Sequence, residues 1–281
     1  MKKYDLAFGL GSSCAVTQSL RAVGLQYVSY PFDWVATPGL EQSVSILTGG
    51  FKDWLDKDAL RLVDVRHGVG FMTRIYRNEK TGIGFSHEFS DFFRFEESYP
   101  KVKQVYDRRI ALFLADLKKS KRMLAVYSEL PIRSALPDEA IVRARQALAD
   151  ACPGAEVDLV YFWPEPGQRQ PSVREIAPGV TVVGVDYRKY DDGEITHFID
   201  NGAIVAYLRS VGTMDDPRTE EEKLKFLRSS RASQAWQWGP DAGPVRRRFN
   251  QWVYKLYRHL EKILVRRGLV QKEGPLWFVD R

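Results

Sequence analysis

Two cysteines and four histidines are the whole stock of thiol nucleophiles and imidazole bases in this chain of 281 residues, so the search for a cysteine-dependent site is short. Cys14 lies within "DLAFGLGSSCAVTQSLRAVGLQYVSYPFDW", just after an apolar run and at the first turn of an expected helix. The unpaired N–H groups of such a turn carry roughly half a positive charge and favour a thiolate over a thiol. Those same groups, from Ser13 to Ala15, are suited to holding an oxygen that turns negative during acyl transfer. Cys152, in "ADACPGAE", falls at the C-terminal end of a helical pattern, where the dipole has the opposite sign, and is expected to be unreactive.

A thiol nucleophile needs a base. His87 is the preferred candidate, because "GFSHEFSD" frames it with Gly84, Phe85 and Phe89 and places Glu88 and Asp91 beside it; His67 and His197 come second. Asp33 is preferred over Asp91 for orienting the imidazole, since Pro31 stiffens "PFDW" and Phe32 and Trp34 can bury its carboxylate. Each residue also has a plainer reading. Cysteine is among the most often buried residue types, a strand histidine is usually a structural hydrogen-bonder, and an aspartate after proline often caps a turn.

The elements that must position these groups follow from periodicity. Tyr4 to Leu10 reads as a buried strand, Cys14 to Val23 as a helix stopped by Gly24, and Thr37-Pro38 as the start of a helix ending at Gly49-Gly50. "FMTRIYRN" and "IGFSHEF" read as a hairpin around Glu79 to Gly82, and Tyr99 to Lys119 as a long amphipathic helix. Then follow a strand at "RMLAVYS", a helix from Pro137 to Ala151, and strands at "VDLVYFW" and "VTVVGVDY". The connection between those last two is rich in Pro and Gln and reads as a loop. Together these predict an α/β fold over residues 1–281: a mainly parallel central sheet with flanking helices, a β-hairpin insertion carrying His87, and a helical C-terminal region.

The stretch from Gly9 to Trp34, then "FSHEF", then "YPKVKQVYDRRIALFLADLKKSKRMLAVY", resembles the DUF1796 family, a bacterial group described as papain-like cysteine peptidases. The resemblance runs over roughly residues 5 to 165 and leaves 166–281 as an extension. It implies Cys14 as nucleophile and His87 as base, with Glu88 standing where the family usually has aspartate. It also implies an association with surface-polysaccharide genes. The expected activity is a cysteine-dependent hydrolase or acyltransferase acting on an acyl, peptide or glycan substrate.

Other classes stay open on particular residues. Asp186, Asp191, Asp192 and Glu194 follow a strand and could hold a divalent cation for glycosyl or phosphoglycosyl transfer, although an acidic loop is usually a solvated turn. Ser12 or Ser13 could serve instead as an esterase nucleophile. No Walker loop, GxGxxG, CxxC or HExxH pattern occurs, and neither a cofactor nor a metal is expected.

The net charge of +6 is local: residues 246–267 hold eight Arg or Lys and one Glu, +7, leaving about −1 elsewhere. Phe249, Trp252, Val253, Leu256, Tyr257, Leu260 and Leu264 form one apolar stripe there, suited to core packing or to weak association with an anionic membrane surface. Nucleic acid is not expected, since no reader motif accompanies the charge. A non-catalytic binding protein is the third class. Few cysteines, and no secretory or membrane-spanning pattern, lead to a cytoplasmic expectation.

Overall fold

The computed structural model describes residues 1–221, apart from 13, 69–70, 91–93, 130–134, 166, 168–170, 187–188, 192–193, 198–201 and 217. The basic segment 246–267 and His259 therefore lie outside the described residues.

The first apolar run is broken in two. β1 (Lys2–Tyr4) and β2 (Leu6–Gly9) are separated at Asp5, whose carboxylate accepts the backbone N–H groups of Lys121 and Arg122 at 2.9 Å each. α1 (Cys14–Ala22) follows β2 and ends in a Schellman motif. There Gly24, at φ +73°, lets Leu25 N–H reach Leu20 O at 2.8 Å. A 3-10 turn, Pro31–Trp34, leads to β3 (Val35–Ala36) and then α2 (Leu40–Thr48). α2 begins beyond the expected Thr37-Pro38 cap because the Thr37 hydroxyl is used elsewhere, accepting Ser12 N–H at 3.1 Å.

β4 (Leu60–Gly68), β5 (Phe71–Asn78) and β6 (Gly84–Ser90) join β3 in a four-stranded antiparallel sheet of order β3-β6-β5-β4. The expected hairpin around His87 is thus the centre of a second sheet. α3 (Phe95–Lys119) starts a turn earlier than Tyr99 and carries Pro100 inside it, at the cost of one backbone hydrogen bond.

β7 (Arg122–Ser128), α4 (Asp138–Ala151), β8 (Glu156–Pro164), β9 (Ser172–Ala177) and β10 (Val180–Val185) complete the main sheet, of order β2-β7-β8-β10-β9. Its β2·β7, β7·β8 and β8·β10 pairings are parallel, and β9 pairs antiparallel with β10. The sheet is therefore mixed, and the Pro- and Gln-rich connection is not a plain loop. It contains β9, whose turn at Gly179 (φ +73°) feeds β10 back between β8 and β9. Pro and Gln in the approach to β9 masked a strand whose middle is exposed and polar.

The turn-rich stretch after Val185 holds the short antiparallel pair β11 (Lys189–Asp191) and β12 (Glu194–His197). α5 (Gly202–Val211) and β13 (Gly212–Met214) follow, and β13 lies parallel to β1. The fold is a mixed α/β structure with several sheets.

Alternation along the strands sends side chains to two cores. Val16 and Leu20 of α1 and Ile204 and Leu208 of α5 pack on Ala7, Leu124, Val126 and Val160. Phe113 and Leu117 of α3 and Ile141, Ala144 and Leu148 of α4 pack on Phe8, Ala125, Tyr127 and Leu159. α1, the helix after β2, thus lies on one face of the sheet, and α4, the helix after the adjacent β7, on the other. In an open α/β sheet the carboxyl ends of two such strands are the usual place for a ligand.

Candidate functional site

Cys14 is the first residue of α1, just beyond the carboxyl end of β2, and is half-buried. The loop that delivers it has little freedom. Gly11 takes φ +96° and Ser12 φ +38°, and a Cβ on Gly11 would lie 2.3 Å from Thr37 Cγ2. The Ser12 hydroxyl is buried and donates to the carbonyl of Ser128 at the end of β7, tying the two strand ends together. Ser12 is thereby engaged in the backbone frame. Ser13, one of the two expected oxyanion-site residues, lies outside the described residues; Ala15, the other, is buried in the first turn.

The thiol is not pre-ionised by its helix. Burial pushes the Cys14 thiol up from its ordinary value, and its own backbone N–H offsets this in part. The expected lowering by the helix terminus is outweighed by the loss of hydration on burial. Cys152 is also raised by burial. It lines a cavity of about 320 Å³ at the opposite, amino-terminal end of the main sheet, with Leu47, Leu114 and Leu117.

His87 is exposed although Phe85 and Phe89, two residues to either side, are buried. A bulge causes this. Tyr76 pairs with Phe85 and Arg74 with Phe89, so three β6 residues oppose one on β5. The extra length turns His87 outward, as bulges beside functional sites often do. The bulge is held at three points. Thr73 Oγ1 donates to Phe89 O at 2.9 Å and Ser86 O at 3.2 Å. Glu88 Oε2 accepts the His87 N–H at 2.9 Å, and Glu88 Oε1 accepts the hydroxyl of the fully buried Tyr106 at 2.6 Å. Burial and the neighbouring Glu88 push the Tyr106 phenol far up, so it stays a donor throughout the working pH range.

Asp33 is fully buried beneath α1. Oδ1 accepts Thr17 Oγ1 at 3.0 Å, while Oδ2 accepts Gln26 Nε2 at 2.7 Å and Tyr30 N–H at 2.8 Å and stands 3.6 Å from Arg21 Nη2. Burial raises its pKa against these donors. Thr17 lies one helical turn beyond Cys14, and Val35, two residues after Asp33, pairs with Phe85, two before His87. The "PFDW" turn is thus the physical link between the helix of Cys14 and the strand of His87.

The other candidates are placed as follows. His67 is on β4, the edge strand two places from β6, and His197 is on β12. Asp91 and Asp192 lie outside the described residues, and the Asp186 carboxylate accepts Gly167 N–H at 2.7 Å. Among the described residues no group of three or more His, Cys, Asp or Glu could hold a metal ion.

Sequence reasoning missed Glu129, which is buried directly after β7, its carboxylate 3.3 Å from Tyr161 Oη. Its signal was available: a charged residue closing the apolar run "RMLAVYS" at the strand end where this fold places ligands.

The family model "Putative papain-like cysteine peptidase (DUF1796)" matches residues 5–152, over half of the chain. The chain belongs to the DUF1796 family. The matched region runs from β2 to the end of α4, and so takes in Cys14, Asp33 and His87. A relative, the uncharacterized protein R408 of Acanthamoeba polyphaga mimivirus, is 29% identical over 143 residues, covering 46% of this chain and 64% of its own length. That relative is viral and uncharacterized, so it lends nothing to the expected tie with bacterial surface polysaccharide. No solved structure matches. No helix among the described residues is long and apolar enough to cross a membrane.

Proposed function

We propose that this DUF1796 protein is a cysteine-dependent hydrolase or acyltransferase with Cys14 as nucleophile and His87 as general base. The observation that carries the reading is the position of Cys14: first residue of α1, half-buried, beyond the carboxyl end of β2, where α1 and α4 lie on opposite faces of the sheet. His87 supports it as an imidazole turned outward by a bulge with its own anchoring bonds.

Because burial disfavours the thiolate, the proton leaves Cys14 during attack rather than before it. As Sγ bonds to the substrate carbonyl carbon, its proton passes to His87, and the carbonyl oxygen takes the negative charge beside the first-turn N–H groups. Collapse of the tetrahedral intermediate expels the leaving group, which takes the proton from the imidazolium. The thioester left on Cys14 is then attacked by water, giving a hydrolase, or by another nucleophile, giving a transferase. Asp33 serves by fixing α1 through Thr17 and Arg21, and is a positioning residue.

Turnover of an activated ester, p-nitrophenyl acetate, tests the assignment. Cys14→Ala should abolish it, His87→Ala should lower it by about a hundredfold or more, and Cys152→Ala should leave it unchanged. Full activity in Cys14→Ala would refute the reading.

A further inference from the structure

Three arginines from separate parts of the chain lie over aromatic rings. Arg21, in the last turn of α1, stands 5.3 Å from the centre of Trp34; Arg109, on α3, stands 5.0 Å from Tyr106; and Arg218 stands 4.6 Å from Tyr27. Arg109 and Arg218 both lie close enough to Arg21 to oppose its charge.

Two of the three have acceptors. Arg218 grips Asp216 through Nε at 2.8 Å and Nη2 at 2.9 Å. Arg21 donates Nη2 to Ser29 Oγ at 2.8 Å and Val28 O at 3.2 Å, with Asp33 at 3.6 Å. Arg109 differs. It is half-buried, yet among the described residues its guanidinium makes no hydrogen bond and no ion pair, and only the Tyr106 ring holds it. Glu88 accepts the Tyr106 hydroxyl.

A guanidinium presents a fork of N–H donors shaped for a carboxylate or a phosphate and is weakly hydrated, so partial burial leaves those donors in need of acceptors. A second guanidinium nearby adds repulsion that an incoming anion relieves.

We propose that Arg109, backed by Arg21, binds an oxyanion, carboxylate or phosphate, carried by the molecule on which Cys14 acts. The link to Cys14 rests on the cysteine reading; the anion binding itself does not need the thiol. Arg21 follows Cys14 by seven residues on α1, about 10 Å at the helical rise per residue.

Calorimetric titration of the full chain at low salt, with sodium acetate and separately with inorganic phosphate, tests this. The wild type should bind at least one of them at millimolar concentration, and the tighter of the two names the group recognised. Arg109→Gln should weaken that binding about tenfold or more. Arg109→Lys, which keeps the charge and guards against a folding artefact, should weaken it several-fold because an ammonium cannot fork. Arg143→Gln, at an exposed arginine 3.8 Å from Glu41, should bind as the wild type does. Binding of neither anion by the wild type, or undiminished binding in both Arg109 variants, would overturn the inference. Cys14→Ala should keep the binding; turnover lost in Cys14→Ala together with undiminished binding in the Arg109 variants would sink this inference alone. Anion binding that needs Arg109 in a protein whose turnover survives Cys14→Ala would sink the nucleophile alone.

Discussion

Replacing Tyr106 by Phe removes one oxygen from the interior and leaves the ring in place. That oxygen donates to Glu88 Oε1 at 2.6 Å, from a side chain with no solvent exposure to a carboxylate that is half-buried. A hydrogen bond to a charged acceptor contributes roughly 1.5–3 kcal/mol when both ends are dry. Water reaches Glu88 and can replace part of it, so the expected loss is about 1–2 kcal/mol of unfolding free energy. For a folded unit of this size that is a fall in Tm of about 2–8 °C. Urea unfolding followed by circular dichroism measures the first quantity. The loss should be the same from mildly acid to mildly alkaline pH, because the Tyr106 phenol is raised far above that range. Glu88 also holds the His87 N–H within the bulge, so ester turnover should fall several-fold under conditions where the variant is fully folded. A stability change below about 0.5 kcal/mol, or unaltered turnover, would refute the claim that Tyr106 and Glu88 hold the bulge.

Gly11→Ala places a methyl group 2.3 Å from Thr37 Cγ2 at φ +96°, and should cost about 2–3 kcal/mol in urea unfolding; an effect within 0.5 kcal/mol would mean the loop is not pinned. Carbamidomethylation of Cys14 at neutral pH should be slower than that of a free thiol and should keep rising into alkaline pH, because burial raises the folded pKa and the thiolate forms only as pH climbs towards it. Cys14, with His87 as its proposed base, should still label before Cys152; the reverse order would count against the nucleophile, and a Cys14 rate already level at neutral pH would contradict its burial. Any sedimentation with anionic vesicles should require residues 246–267 and weaken as salt rises, and salt-resistant binding would mean that the apolar stripe inserts.

Much of the frame is legible in the sequence because local signals and tertiary packing agree. "RMLAVYS" is β7 residue for residue, and Gly24 ends the Cys14 helix where a left-handed residue was needed. The failures each have a cause. Tyr4 to Leu10 reads as one strand because apolar content hides a break that only the partners of Asp5, more than a hundred residues away, require. β9 is an edge strand with an exposed, charged middle, so it shows no alternation against a core. Thr37 looks like a helix cap, yet its hydroxyl serves the turn before Cys14, a contact across 25 residues. In the site, the exposure of His87 could not be read from "GFSHEFSD", since regular alternation puts it with Phe85 and Phe89; the bulge is set by pairing with β5. The helix-terminus argument for a thiolate at Cys14 failed for a related reason, because burial is a property of the packed fold and not of the turn.

The central claim, that Cys14 forms a covalent acyl intermediate with the help of His87, is tested most directly by mass spectrometry. The wild type, Cys14→Ala and His87→Ala are each quenched in acid within seconds of mixing with p-nitrophenyl acetate. The account predicts a single acetyl adduct, mapped by peptide digestion to Cys14, formed far more slowly in His87→Ala and absent in Cys14→Ala. An adduct on Cys152 or a serine, or acetylation of Cys14 at the same rate with and without His87, would contradict it.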